Sequence, residues 1–305
     1  MVKRYKLLHS IKMNYSLLFM LLPGVIYFIV FHYIPLAGSV LAFKDYNISK
    51  GIWGSDWVVI THFEYAFSNP GFRTALWNTI QINLYRLFFS LPISIIFALF
   101  LNEISNQKFK KFVQTISYLP YFISWVILAG VFVSMFSIDG FINTLLSIIG
   151  LSKIPWLTNS NNFIFMIIIT YIWKDFGWSA IIFLAALSGI NPEFYEAAII
   201  DGASRWQRVI HITIPSLSFV IVIVMILNTS KIMSLGFDQI FNLYNPTVVE
   251  RAEIIDTYVY KQGIERFEYS YSTAVGLFKS LVATGMVFMT NMIARRLGGN
   301  EYSLF

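Results

Sequence analysis

The sequence predicts an all-α integral membrane protein with six transmembrane helices, and three observations carry that prediction. Of 305 residues, 57% are hydrophobic and only 12% are charged, about half the charged share of a typical soluble domain. The apolar residues are bunched into runs long enough to cross a bilayer, for which about 20 residues are needed. The lysines and arginines gather in the tails and in alternate connections between those runs, which is how membrane chains fix their orientation.

The runs lie at 16–43, 76–101, 118–136, 163–187, 217–235 and 272–294. Pro23, Pro35 and Pro92 fall inside them, where neighbouring helices can satisfy the freed backbone groups. The first run continues past Leu36 without a small-residue cleavage site, so a retained span is expected rather than a signal peptide. Lys3, Arg4, Lys6 and Lys12 precede it, and Lys108, Lys110 and Lys111 follow the second run. Arg205 and Arg208 separate the fourth from the fifth, and Arg295 and Arg296 follow the sixth. With six spans these segments share one face, which the positive-inside rule makes cytoplasmic, with both termini inside. The connection 236–271 on the other face is acidic, with Asp238, Glu250, Glu253, Asp256, Glu265 and Glu268. The expected organisation is a cytoplasmic tail 1–15, a first helix and external loop 16–75, and a core 76–294. That core carries a cytoplasmic elbow at 189–215, and a cytoplasmic tail 295–305 follows.

Several function classes drop out. The net charge of +6 forms no basic stripe interleaved with stacking aromatics, so nucleic acid is not an expected partner. There is no cysteine, and His9, His32, His62 and His211 are scattered without metal-ligand spacing. No converging acid, base or metal set appears, so a membrane-embedded enzyme is not expected. No GxxxxGK[ST] phosphate loop is present, so any ATP is bound by another polypeptide.

Against this apolar background stands "EAAIIDGASRWQRVIHITIP", Glu196 to Pro215. Just before it, Asn191 suits an N-cap, Pro192 the first helical position and Glu193 the first turn. Asp201-Gly202 reads as a helix stop, since glycine accepts the left-handed conformation there. Ser204 suits a second N-cap, and Pro215 marks re-entry into the fifth span. The pattern predicts a helix–glycine–helix elbow on the membrane surface. On these grounds alone it is either a docking lever or an ordinary interfacial amphipathic loop.

The offsets add more. Glu196-Ala197-Ala198, Gly202, Ile212, Ile214 and Pro215 resemble the EAA signature of permease subunits of binding-protein-dependent (type I) ABC importers. Ile214 stands where that signature prefers leucine, a mild apolar exchange. "LLPGVIYFIVFHYIPLAG", "QTISYLPYFISWVI", "IDTYVYKQGI" and "STAVGLFKS" resemble the carbohydrate branch, particularly LplB-type polysaccharide permeases. The resemblance implies a non-catalytic permease subunit forming half of a translocation path for a carbohydrate, expected to be an oligosaccharide. It implies a second homologous permease, expected to be a different chain, and two cytoplasmic ABC ATPases that carry ATP and Mg. An extracytoplasmic sugar-binding lipoprotein would deliver the substrate, and the bacterial cytoplasmic membrane is the expected location. By the same resemblance Glu196, Ala197, Ala198, Asp201, Gly202 and Arg205 form the surface that couples to the ATPase.

Ionisable groups inside spans are costly, about 2.5–3.5 kcal/mol each on insertion scales, and so become functional candidates. Lys174 and Asp175, flanked by Trp173 and Trp178 with Gly177 between, mark the fourth span as a candidate substrate path. Asn228 and Lys231 on the fifth and Lys279 on the sixth are secondary candidates. Lys174 and Asp175 point about 100° apart on a helix, so they are poorly placed to pair with each other. A structural role is the alternative for them and the favoured one for Arg86, Lys231 and Lys279. The competing function is an ion-coupled carrier or channel subunit working without ATP, which calls for inverted, helix-interrupted halves. Ile254, Ile255, Tyr258 and Val259 are expected to share one face of a helix on the outer side, capping the path, docking the binding protein or simply packing.

Overall fold

The computed structural model describes residues 13–234 and 236–299. Lys3, Arg4, Lys6, Lys12 and most of the two expected tails lie outside the described residues, as does Leu235. Among the described residues, six helical stretches are long and apolar enough to cross a membrane: Tyr15–Phe43, Pro70–Glu103, Trp125–Ile148, Ser160–Ser188, Arg205–Thr229 and Tyr269–Arg296.

Helix α1 (Tyr15–Phe28) continues through a π turn (Ile29–Tyr33) into a 3-10 stretch (Ala37–Phe43). Pro35 explains the widening: its ring crowds the preceding turn and it has no N–H to give, so the helix loosens just ahead of it rather than breaking. No residue of Tyr15–Phe28 is buried by the rest of the chain. A two-stranded hairpin follows, β1 (Lys44–Asp45) antiparallel to β2 (Asp56–Trp57). Lys44 stands 4.8 Å over the Trp57 ring and donates to the Trp53 carbonyl at 2.8 Å.

Helix α2 (Thr61–Ser68) leads into α3 (Pro70–Glu103), which Asn69 caps by accepting from the Gly71 N–H at 2.8 Å. At 34 residues α3 is about 50 Å long, well beyond the ~30 Å hydrocarbon core, so it projects from the bilayer. Its buried side carries Asn78, Thr79, Asn83, Arg86, Ser90 and Ser94, a polar stripe at helical spacing.

The third span departs from the sequence expectation. The run 118–136 is divided between α4 (Gln107–Phe122) and α5 (Trp125–Phe136), with extended backbone at Ile123 and Ser124. Ser124 starts the new helix by accepting from the Ile127 N–H, a serine N-cap set inside an apolar run. Helix α6 (Phe141–Ile148) follows, and then α7 (Ser160–Ser188), capped by Asn159.

Helix α8 (Pro192–Ile200) precedes α9, which runs from Arg205–Arg208 through a π turn (Val209–Thr213) into Ile214–Lys231. This second π turn again precedes an Ile-Pro pair. Three short helices, α10 (Phe237–Leu243), α11 (Val249–Ala252) and α12 (Ile255–Tyr260), fill the connection to α13 (Tyr269–Gly298).

Leu99, Phe100 and Glu103 at the end of α3 line the same cleft as Tyr195, Arg205 and Trp206, so α3 ends on the elbow side. At the far side, the Tyr46 N–H donates to Ser270 Oγ, placing the end of α1 beside the start of α13. Lys108, Lys110, Lys111, Arg205, Arg208, Arg295 and Arg296 therefore share the elbow face.

The 236–271 connection is no surface loop. Val248, Ala252, Ile254 and Ile255 are all but inaccessible, packed into two clusters with α3, α5, α7 and α13. Ile254 is extended and caps α12 rather than belonging to it. The polar stripe of α3 holds this layer down. Asn78 donates to the carbonyls of Glu250 and Glu253 and Thr79 accepts from the Ile255 N–H at 2.8 Å, while Asn83 ties the stripe to the end of α9 through the Ile232 carbonyl.

Candidate functional site

The elbow follows directly from its sequence. Asn191 Oδ1 accepts from the Glu193 N–H at 3.1 Å, with Pro192 at the first helical position. At the other end of α8, Ala203 N–H donates to the Ala198 carbonyl and Gly202 N–H to that of Ile199. This is a Schellman closure, and Gly202 takes the left-handed backbone it requires, at φ 79°. One residue on, Ser204 and Gln207 form a capping box that starts α9. Two caps back to back, with only Ala203 between the stop and the start, fix the bend angle.

No residue of α8 is buried. Glu196, Ala197, Asp201, Gly202 and Arg205 are exposed and Ala198 is half-buried. Beside them Ile200 is 86% and Trp206 73% accessible, with Phe194 and Ile199 also exposed. An apolar surface rimmed by Glu196, Asp201 and Arg205 is the pattern of a protein contact rather than of a solvated turn. One tether joins the elbow to the span behind it: the Tyr195 hydroxyl bonds Thr213 Oγ1 at 3.0 Å, and Thr213 donates to the Arg208 carbonyl. Sequence reasoning passed over Tyr195 and Thr213. The signal was there, because Tyr195 is the one elbow side chain with both an apolar body and a hydroxyl.

The intramembrane candidates separate into different environments. Lys174, 9% exposed, donates from Nζ to the carbonyls of Pro120 (3.0 Å), Tyr121 (2.6 Å) and Ile123 (2.6 Å). These carbonyls lie where α4 ends inside the apolar run, and Pro120 accepts from the Ile123 N–H as well. Helix α7 crosses α4 at backbone contact here, since a Cβ on Gly177 would lie 2.2 Å from the Ser117 carbonyl oxygen. Trp178 stacks on Tyr121 with ring centroids 4.6 Å apart, and Trp173 meets Phe132 edge-on.

Asp175 turns the other way. Ser179 donates to its carboxylate at 2.6 Å, and Ser90 approaches at 3.5 Å. It lines a small cleft with Ser90, Tyr171, Asn228, Asn83 and Arg86, contributed by α3, α7 and α9. Lys231 lies near enough to Asp175 for their charges to interact. Lys279 is ion-paired with Asp256 of α12.

Arg86, 1% exposed, is built into the bundle. It donates to Asn83 and Gln239, lies against the Tyr171 ring at 4.7 Å, and fills the space that a Cβ on Gly236 would need. Gln239 passes the network on to the Ile167 carbonyl and Thr170. In the 236–271 layer, burial works against the charge of Lys261. The hydrogen bond and attraction from Glu253 outweigh it, holding Lys261 above the ordinary lysine range. Among the described residues, no group of acids and histidines is placed to hold a metal ion.

With this geometry in hand, likeness to known proteins is informative. The family model described as "Binding-protein-dependent transport system inner membrane component" matches residues 90–299. The polygalacturonan/rhamnogalacturonan transport system permease protein YteP of Bacillus subtilis is 43% identical, over 97% of this chain and 92% of that one. Protein LplB of the same organism is 41% identical, over 94% and 91%. A bacterial ABC transporter involved in import of the acidic polysaccharide alginate superposes with a TM-score of 0.89. It is 38% identical and covers 96% of this chain and 99% of that one. A second structure of the alginate transporter, in complex with an alginate pentasaccharide-bound periplasmic protein, gives a TM-score of 0.87 at 38% identity.

Proposed function

The chain belongs to the family of inner-membrane components of binding-protein-dependent transport systems, and from that premise we propose that it forms half of the translocation path of an ATP-driven importer of acidic oligosaccharides. The coarser part of this reading, a multi-pass inner-membrane permease of a sugar ABC transporter, comes with the family and with relatives above 40% identity. The acidic character is carried over from relatives named for polygalacturonan and alginate.

The observation that carries the mechanism is the elbow: a doubly capped helix with no buried residue, with Ile200 at its end and Trp206 just beyond it uncovered. A cytoplasmic ATPase covers that surface, with Glu196 facing a cation on it. Rigid caps convert a push on α8 into rotation of α7 and α9, which it joins. Asp175, Asn228 and Lys231 on those two helices meet the substrate path, with Trp173 and Trp178 as apolar platforms for sugar faces. Lys174 serves the same path by satisfying the carbonyls at the end of α4, and Lys279 by holding α12 in place. A second permease supplies the other half, and an extracytoplasmic binding protein delivers the sugar to the side carrying α10–α12.

The interruption between α4 and α5 is the one feature that a cation-coupled carrier would also use. Here Lys174 already fills the carbonyl site, which favours coupling through the elbow. The chain has no native cysteine, so Ile200→Cys gives a single labelling site. Reaction with an impermeant maleimide only from the cytoplasmic side, and cross-linking to the ATPase, are expected. Labelling from outside overturns the reading, as does uptake of an oligogalacturonate driven by an ion gradient alone.

A further inference from the structure

Inside a bilayer, a helix that ends leaves carbonyls that water cannot reach. At the end of α4 three of these, from Pro120, Tyr121 and Ile123, converge on one point, and Lys174 Nζ occupies it. The rings of Tyr121 and Trp125 stand 5.5 and 5.6 Å from the same nitrogen. Among the described residues no carboxylate lies within ion-pairing distance of it, and neighbouring Asp175 is engaged by Ser179 instead. The charge of Lys174 is thus balanced at contact distance by peptide dipoles at a helix C-terminus and by aromatic faces, with Asp175 acting on it only from farther away. This donor set, main-chain oxygens at a broken helix, is one that binds bare monovalent cations in membrane proteins.

We propose that the α4–α5 interruption is a monovalent-cation site permanently filled by a tethered ligand, the ammonium of Lys174. The bowl does not depend on the lysine for its shape. Gly177 on Ser117 and Trp178 on Tyr121 hold α4 to α7 on one side of it, and the Ser124 cap fixes the start of α5 on the other. Shortening the side chain therefore leaves the carbonyls in place without the ammonium, Pro120 alone keeping a second donor in the Ile123 N–H.

The test is chemical rescue in the purified, fully assembled complex. Lys174→Ala is expected to melt several degrees below the unsubstituted complex. Methylammonium chloride should recover at least half of that shift, and tetramethylammonium chloride at the same ionic strength should recover none, being too large for the bowl and without N–H donors. The unsubstituted complex should respond equally to both salts. A Lys174→Ala complex that melts unchanged, or gains equally from both salts, overturns the proposal. Should that variant fail to assemble, Lys174→Met keeps the stem and loses the charge, while Lys174→Arg returns it. Melting of the methionine variant at the unsubstituted temperature overturns the proposal, and recovery by arginine but not methionine supports it.

Discussion

The elbow and the 236–271 layer make an instructive pair. Both connect spans, both are rich in charge, and both read from sequence as polar interruptions between apolar runs. In the fold they are opposites. Helix α8 has no buried residue, whereas α10 to α12 bring Ile240, Ala252, Ile254 and Ile255 to essentially zero exposure. The elbow gets its shape from local caps, and the layer gets its shape from the polar stripe of α3. A segment shaped by its own caps can move as a rigid piece. One shaped by distant side chains stays with the body that holds it. That difference suits a lever on one face and a brace on the other.

The contrast breaks most visibly under severe substitutions. Ile255→Asp places an uncompensated carboxylate in a closed cluster, and loss of folded complex on size-exclusion chromatography is the expected result. Gly202→Pro abolishes the left-handed residue of the Schellman closure, and Glu196→Lys reverses charge on the exposed face. Both should insert and assemble normally yet lose uptake while the ATPase still turns over. Normal uptake by either reconstituted variant dissolves the distinction between lever and brace.

Smaller changes sharpen it. Gly236→Ala meets both a backbone at φ 108° and the buried Arg86 guanidinium, for an expected destabilisation of about 3 kcal/mol in chemical denaturation. Ser204→Ala removes one cap of the elbow at about 1 kcal/mol. Its signature should be a lower ratio of uptake to ATP hydrolysis rather than a lower yield.

The smallest effect concerns pH. Lys261 titrates above its ordinary range through Glu253, so the stabilisation from that pair is complete below the ordinary lysine pKa. It fades only as pH rises through the raised value. Glu253→Gln should bring the onset of alkaline unfolding to lower pH, and an unchanged alkaline limb means the pair does not brace the layer.

Much of this was open to sequence reasoning where the cause is local. The caps at Asn191, Gly202 and Ser204 are set by residues within three positions of each other, and all appear where their chemistry puts them. The division of the third span was hidden because Ile123 and Ser124 lie within an unbroken apolar run, and hydropathy averages over a turn-sized break. Pro120 followed by a serine ahead of Trp125 was the available clue. The destination of Lys174 could not be read at all, since its partners are main-chain oxygens some fifty residues earlier. Arg86 was expected to be structural, and in the fold it is buried between Asn83 and Gln239, yet the stripe from Asn78 to Ser94 went unremarked, although its spacing alone marks a buried polar face. The packing of 236–271 was obscured by its acids, which sit at the rim while the intervening aliphatics go inward.

The bare first helix has a practical outcome. Because α1 gains nothing from its own chain, its depth and tilt are dictated by neighbours, whether acyl chains or another polypeptide. Isolated copies should therefore carry an annulus of firmly held lipid along Tyr15–Phe28 that native mass spectrometry can count, and that annulus should shrink once the companion subunit joins.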